Sequence, residues 1–259
     1  MTDADTSLVP AVGADALRRK RTVLDLSREV YEGMPIWPGH QLPYMMVNLT
    51  HESFRQRYGT TAGFETHSWL ISEHTGTHAD ATLEYADDGV PIDQTPLEYY
   101  YGEATCIDVS HVRHPDYITV DDLRAAVAAG GQKIRKGDIL LLETGQGDRT
   151  WPSREYAEVY TGLNREAMRW IAEQGVVNVG TDSVSVDHSD DTEFSAHMVC
   201  AEYRIVITEI LTNLRPLIGK RFEFYGLPVK LRHGTGAPIR AIAVLDSIGD
   251  GGSPGLSPD

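Results

Sequence analysis

The sequence predicts an α/β fold with a mixed sheet, on three observations. Several short apolar runs end in polar residues, as buried strands do. Two other segments carry the capping residues and the apolar face of amphipathic helices. Strands outnumber helices, but the two kinds of element alternate along the chain. This alternation favours an α/β architecture and leaves the strand order open.

Six segments are predicted to be strands. The first three contain many β-branched and apolar residues, and they are TVLDLS (22–27), PYMMVNLT (43–50) and GFETHSWLIS (63–72). The other three are apolar runs that end in polar residues, and they are ATCIDVS (104–110), DILLLET (138–144) and VVNVGTD (176–182). The third predicted strand leads directly into a cluster of histidines.

Two segments are predicted to be helices. Thr119 can cap a helix over 120–129, whose first turn contains two aspartates that suit the positive end of the helix dipole. Asn164 precedes a second helix over 165–174, and Gly175 is placed to end it. We therefore expect two amphipathic helices between the later strands.

The termini differ in composition from the middle of the chain. Residues 1–20 are expected to form a flexible arm, and the Gly/Ser/Pro-rich segment 249–259 a disordered tail. No linker or internal repeat interrupts residues 21–248, which are predicted to form a single catalytic domain.

Charge and cysteine content limit the classes of function. The 259 residues carry a formal net charge of -15, which repels phosphate backbones and anionic lipids. We therefore expect neither a nucleic-acid partner nor a membrane partner. The two cysteines imply no disulfide framework, and no apolar run is long enough to span a membrane, so a cytoplasmic location is expected.

The stretch SEHTGTHADATLEY (72–85) has metal-ligand chemistry. Its two histidines and aspartate have the spacing H-x3-H-x-D, and Gly76 between the histidines favours a tight turn over a helix. Imidazole nitrogens and a carboxylate suit zinc or manganese. A polar turn with hydrogen-bonded histidines explains the same spacing, so the spacing alone leaves both interpretations open.

Longer motifs carry a family resemblance. HTGTHADA resembles the H-x-G-T-H-x-D-A signature of the metal-dependent cyclase family, which includes bacterial kynurenine formamidase, isatin hydrolase and polyketide cyclases. Four further segments match this family in the same order, namely MPIWPG (34–39), VGTDSVSVD (179–187), EILTNL (209–214) and LPVKLRHGTGAPIRAIA (227–243). The resemblance implies a cyclase-like fold with a swivelling β/β/α core, assembled as a homodimer or homotetramer.

The resemblance also implies a set of metal ligands. It assigns His74, His78 and Asp80 to the first part of the site, and His197 and Glu209 to a second part that Asp80 bridges. Without the resemblance, His197 would equally be a buried or capping histidine, and Glu209 a solvated or salt-bridged carboxylate. The implied cofactor is Zn²⁺ or Mn²⁺, with one or two ions per subunit.

The signature departs from the family pattern where the catalytic base is expected. The formamidases and isatin hydrolase continue the motif as Pro-x-His, whereas this chain has Thr82 and Glu84. Glu84 can act as a general base beside a metal-activated water. Alternatively, the substrate differs and needs no histidine, or Glu84 is simply solvated in an acidic loop.

Three residues are candidates for substrate binding. Trp37 matches a position that packs against aromatic substrates in the formamidases, although a tryptophan in a Pro-rich turn is also a packing residue. Asp182 and Ser185 either line the pocket or brace it. Two histidines beside family motifs, His40 and His188, are weaker candidates for the same pocket.

The leading functional hypothesis is metal-dependent hydrolysis. The predicted reaction cleaves an amide, formamide or lactam bond of a small substrate, such as an aromatic one, with metal-activated water. The first alternative is a ring-forming cyclase of a secondary-metabolite pathway. The second is a catalytically silent binder of small molecules that kept the ligands and lost the base.

Overall fold

The computed structural model describes residues 21–246. The predicted arm (1–20) and tail (249–259) lie outside the described residues. The strands are β1 (Arg21–Asp25), β2 (Tyr44–Leu49), β3 (Thr66–Leu70), β4 (His78–Asp80), β5 (Tyr101–Asp108), β6 (Ile139–Glu143), β7 (Asn178–Thr181), β8 (Val206–Glu209), β9 (Arg221–Tyr225), β10 (Gly236–Pro238) and β11 (Ile242–Asp246). The α-helices are α1 (His51–Tyr58), α2 (Val120–Gly130), α3 (Gln146–Thr150), α4 (Glu155–Glu158), α5 (Arg165–Glu173) and α6 (Ser195–Tyr203). Single 3₁₀ turns lie at Leu97–Tyr99 and Arg215–Leu217.

Nine of the described strands form one mixed sheet. Their order is β1-β11-β9-β5-β6-β7-β8-β4-β10. Strands β5 to β8 pair in parallel, and the remaining pairs are antiparallel. The predicted α/β fold with a mixed sheet is confirmed. Strand β4, which follows the histidine-rich turn, lies between β8 and β10 near one edge.

Helices cover the parallel part of the sheet because its strands are apolar on both faces. In β6, Leu140 and Leu142 pack into a core cluster with residues of α2, α5 and α6, such as Leu123, Ile171 and Val199. The alternate residues of the same strand, among them Leu141, point into a second cluster on the other face. A continuous apolar run is therefore the pattern that a strand buried on both faces requires.

The two predicted helices begin where their capping residues indicate. The Thr119 side chain accepts a hydrogen bond from the Asp122 backbone amide, and the Asp122 side chain bonds back to Thr119, forming a capping box. The Asn164 side chain caps α5 by accepting from the amide of Ala167. Both helix predictions are confirmed.

Strands β2 and β3 form a separate two-stranded antiparallel sheet outside the main sheet, with helix α1 between them in the chain. All five residues of β3 are exposed, and none of the residues of the neighbouring helix α1 is buried. Both strands were predicted, but their exposure was not. Apolar residues such as Met46, Val47 and Trp69 are usually buried, whereas here they lie on the surface. Among the described residues, no helix is long and apolar enough to cross a membrane.

Candidate metal centre

The turn after β3 places His74, the first histidine of the motif, close to His78, the second. Gly76 has a φ of +65°, in the left-handed region that glycine adopts without strain, so the predicted tight turn is confirmed. The chain then enters β4, which pairs antiparallel with β8 so that His78 lies opposite Glu209. Two residues distant in sequence thus become cross-strand neighbours, with His78 Nε2 3.6 Å from Glu209 Oε2.

Hydrogen bonds fix which nitrogen of His74 can bind a metal ion. The Thr235 hydroxyl donates to Glu73 Oε2 at 2.6 Å, so its oxygen accepts from His74 Nε2 at 3.0 Å. Nδ1 of His74 then faces Asp80 Oδ1 at 2.8 Å. Burial lowers the pKa of His74, but the hydrogen bond and charge of Asp80 outweigh it and raise the pKa to about 9.

His78 is oriented in the same manner by its own turn. Its Nδ1 donates to the Gly76 carbonyl at 2.8 Å, which leaves the Nε2 lone pair pointing at Asp80 Oδ1 3.2 Å away. A metal-binding histidine commonly donates its other N–H to a carbonyl or carboxylate in this way.

The two carboxylates are buried with few protein donors, and Glu209 Oε1 accepts a hydrogen bond from the Val186 backbone amide at 3.2 Å. Asp80 Oδ2 is buried and has no hydrogen-bond partner. Burial would raise the pKa of Asp80, but His78 and His74 hold it well below its usual value. Glu209 is also buried, and burial together with the charge of Asp80 raises its pKa well above the usual range. A cation between these carboxylates would reduce their mutual repulsion and would give the unpaired Asp80 oxygen a partner.

His197 enters the cluster from the first turns of α6. Its Nδ1 donates to Asp187 Oδ2, and Asp187 Oδ1 accepts from the backbone amide of Ala196 at 2.6 Å. Burial lowers the pKa of His197, but the bond to Asp187 and its charge raise it to about 10. The ring therefore presents Nε2 to the carboxylates. Asp187 was not among the residues singled out from the sequence, although it lies in the VGTDSVSVD motif.

The five predicted ligands form two groups that share one residue. Ligand atoms of His74, His78 and Asp80 lie within 4.8 Å of one another, and so do those of Asp80, His197 and Glu209. Three imidazoles and two carboxylates are a donor set for zinc or manganese. With the unpaired oxygen of Asp80, this arrangement fits one or two divalent ions.

Glu84 lies at the edge of this cluster. Its Oε1 is 3.6 Å from His74 Nδ1, and the side chain is 27% exposed. Burial and the charge of Asp80 raise the pKa of Glu84 to about 8. A carboxyl group whose pKa lies near neutrality can both accept and return a proton at physiological pH. This location does not support the interpretation of Glu84 as a solvated loop residue.

A cavity of about 410 Å³ opens onto the cluster. Its walls combine the candidate ligands with apolar and aromatic side chains, among them Trp37, Tyr85, Phe194 and Met198. Ser185 and His40 also line it. The volume and the mixed lining are typical of a site for a small organic ligand.

The structure places Asp182 outside this cavity. Its Oδ1 accepts from the amide and hydroxyl of Thr144 at 2.7 and 2.6 Å, and its Oδ2 accepts from the amide of Gly147 at 3.3 Å. Of the two roles left open for Asp182, substrate contact and bracing, this position fits bracing, because its oxygens are occupied by the loop after β6. Trp37 and Ser185 remain candidates for substrate contact.

His188 also lies away from the cavity. It stacks on Tyr117, with ring centroids 4.1 Å apart, and neighbours His114 and Asp190 in a third group of potential ligands. However, Nδ1 of His188 accepts from the Asp190 backbone amide at 3.0 Å, so Nε2 of the neutral ring carries the proton. Neither nitrogen then has a free lone pair, and this group is unsuited to a metal ion.

Known proteins resemble this chain over most of its length. The model of the family described as "Putative cyclase" matches residues 24–188. A kynurenine formamidase from Salinibacter ruber (strain DSM 13855 / M31) is 30% identical over 222 residues, covering 85% of this chain and 96% of that protein. A kynurenine formamidase from Erythrobacter litoralis (strain HTCC2594) is 30% identical over 227 residues, covering 87% of this chain and 94% of that protein.

Solved structures share the fold. An isatin hydrolase bound to the product analogue thioisatinate matches with a TM-score of 0.78 and 20% identity, covering 94% of this chain and 99% of that chain. Isatin hydrolase A from Ralstonia solanacearum matches with a TM-score of 0.75 and 23% identity, covering 95% and 100%. These matches confirm the predicted cyclase-like fold.

Proposed function

Because the chain belongs to the putative cyclase family, we propose that it is a metal-dependent hydrolase that cleaves an amide, formamide or lactam bond of a small aromatic substrate. The similarity to kynurenine formamidases along almost their full length supports this reaction class. The observation that carries the proposal is the convergence of the two ligand groups on Asp80, at the base of an aromatic-lined cavity.

In this proposal the residues that would hold an ion are His74 through Nδ1, and His78 and His197 through Nε2, together with the carboxylates of Asp80 and Glu209. A divalent ion held there would lower the pKa of a water molecule and polarise the scissile carbonyl. Thr235 and Asp187 hold the imidazoles in the tautomers that leave these nitrogens free. The identity of the ion, zinc or manganese, and a count of one or two are proposals that this donor set supports.

Glu84 moves the proton. Its carboxylate removes a proton from the attacking water as the new C–O bond forms, and it returns that proton to the leaving nitrogen as the C–N bond breaks. The products are a carboxylic acid and an amine, so the base is regenerated. The position of Glu84 supports this role, since its Oε1 lies 3.6 Å from His74 Nδ1 and the residue lines the cavity.

Metal content tests the site. Elemental analysis of purified protein should find close to one or two equivalents of zinc or manganese, and His78→Ala should lose most of it. The matched control is His111→Ala, because His111 lies on the surface and bonds to Asp122. Metal content that His78→Ala leaves unchanged would contradict the assignment.

A substrate panel tests the reaction. Metal-loaded protein should hydrolyse at least one of N-formylkynurenine, isatin and simple aryl formamides. Glu84→Gln should lower kcat by about 10²–10⁴-fold and leave metal content intact, because a general base contributes this much to the rate. Unchanged turnover by Glu84→Gln would refute the base assignment. Metal-loaded protein that hydrolyses no member of the panel would refute the hydrolase proposal.

We also propose that the enzyme works in the cytoplasm as a homodimer or homotetramer, with its small-molecule substrate as the other partner. The reduced, buried thiols of Cys106 and Cys200 support the location. The exposed apolar residues of the two-stranded sheet β2–β3 support self-association, because an isolated pair of strands is marginally stable in water without a covering surface. Light scattering at several concentrations would measure the mass, and a monomer at every concentration would contradict the assembly.

A further inference from the structure

A second imidazole reaches the cavity from a different part of the chain. His40 follows Trp37 in a tight turn, in which the His40 amide donates to the Trp37 carbonyl at 3.2 Å. Gly39 in this turn has a φ of +106°, which a residue with a side chain rarely adopts. The turn packs the His40 ring against the Trp37 ring, with centroids 5.2 Å apart, and thereby limits the directions in which the imidazole can point.

The His40 ring lies directly beside the candidate metal centre. Its centroid is 5.3 Å from that of His74, and the two rings are tilted by 36°. His40, His74 and Glu84 line the same cavity. His40 therefore shares the wall of one cavity with a candidate ligand and with the candidate base.

The two nitrogens of His40 have different surroundings. Nδ1 is buried and has no hydrogen-bond partner, so a proton there would be a buried donor without an acceptor. Nε2 is exposed to solvent, because it is neither buried nor hydrogen-bonded to a described residue, and His40 lines both the cavity over the metal centre and a neighbouring cleft beside Gly33 and Leu42. With its proton on Nε2, the neutral ring presents a donor to a bound molecule and leaves only a lone pair buried.

We propose that His40 is a further catalytic residue, whose Nε2–H donates a hydrogen bond to the carbonyl oxygen as negative charge develops on it during attack by water. This inference rests on the proposed hydrolase function. The donor is held in place before the reaction by the Trp37 turn, and a fixed donor in a partly apolar site stabilises an oxyanion more than water does. The imidazole that the signature lacks at Glu84 is thus present in the pocket, in a different role.

Kinetics with an aryl formamide that the wild type hydrolyses test the proposal. His40→Phe keeps a ring against Trp37 but removes the donor, so kcat should fall by about 10²–10³-fold while KM changes little. His40→Gln retains an N–H donor and should recover part of the loss. His111→Phe is the matched control and should behave as the wild type. A kcat of His40→Phe close to that of the wild type overturns the proposal, and so does a His40→Gln variant as slow as His40→Phe.

Two further measurements separate this role from a structural one and from failure of the hydrolase proposal. Metal content and Tm of His40→Phe should match the wild type, and a loss of either as large as the loss of rate overturns the catalytic assignment. Binding of benzoate, a carboxylate probe with oxygens of similar charge, should weaken at least about tenfold in metal-loaded His40→Phe. Equal benzoate affinities of wild type and His40→Phe, or no benzoate binding by the wild type, overturn the role of His40. This result does not depend on turnover, so it is informative even if no substrate is hydrolysed.

Discussion

Replacing Asp187 with asparagine is expected to weaken metal binding by about 10–100-fold. The carboxylate of Asp187 has two acceptor oxygens, and both are used, one by His197 Nδ1–H and one by the Ala196 amide. An asparagine side chain has one acceptor. If its oxygen accepts from His197, the Ala196 amide faces an NH₂ group and loses its partner. If the amide group rotates, the NH₂ group faces Nδ1, and the proton of the neutral ring moves to Nε2, where the ion should bind.

The expected magnitude follows from either arrangement. An unsatisfied buried donor costs about 1–3 kcal/mol, and a factor of 10–100 in affinity corresponds to about 1.4–2.7 kcal/mol, so the two estimates agree. Competition with a chromophoric chelator measures the affinity for zinc in wild type and variant. Asp190→Asn is the control, since this exposed carboxylate bonds to His114 outside the cluster. Equal zinc affinities of Asp187→Asn and wild type, with equal metal-free Tm, would refute the orientation argument.

Three further predictions concern stability, each measured by urea unfolding. Burial and the charge of Asp182 raise the pKa of Glu143 to about 8, so the folded protein keeps a proton that the unfolded chain loses above 4.5. The free energy of unfolding should therefore fall as the pH rises from 4.5 to 8, and Glu143→Gln should flatten this slope; an unchanged slope would contradict the shift. Leu141→Ala should lower the free energy of unfolding by about 2–5 kcal/mol, because the side chain is fully buried in the second core cluster. A decrease below about 1 kcal/mol would show that neighbouring side chains fill the cavity. Thr119→Ala should cost about 1 kcal/mol through the loss of the capping box, whereas no change would mean that water replaces the cap.

Local patterns in the sequence predicted the elements that are determined locally. The runs around Leu140 and Val179 became buried strands because continuous apolar sequence is what a sheet covered on both faces needs. Thr119 and Asn164 identified helix starts because capping depends on residues three positions apart.

Elements that depend on distant contacts were missed. Strands β4, β8 and β10 are three or four residues long, and they exist because they pair with each other across the chain. Helix α1 was also missed, because most of its residues are polar and it buries none of them.

The candidate site was predicted only where residues are close in sequence or match the family motif. The spacing of His74, His78 and Asp80 is compatible with a metal site but also with a polar turn, and the resemblance to the family favoured the metal site. His197 and Glu209 were assigned from the resemblance alone. The supporting contacts of Asp187 and Thr235 depend on which hydrogen-bond partners the fold brings together, and spacing contains no such information. A second acidic residue after Ser185 in the VGTDSVSVD motif was the available signal for Asp187. The two roles of Asp182 stayed open for the same reason, because a motif does not show which way a side chain points.

The central claim is that the cluster around Asp80 binds the ions that make the protein a hydrolase. Its most direct test is the rate of formate release from an aryl formamide by protein stripped with a chelator and then titrated with zinc or manganese. The account predicts no turnover by the stripped protein, recovery that saturates at one or two equivalents, and no recovery in His78→Ala. Turnover that survives removal of the metal, or that His78→Ala regains fully, would contradict it.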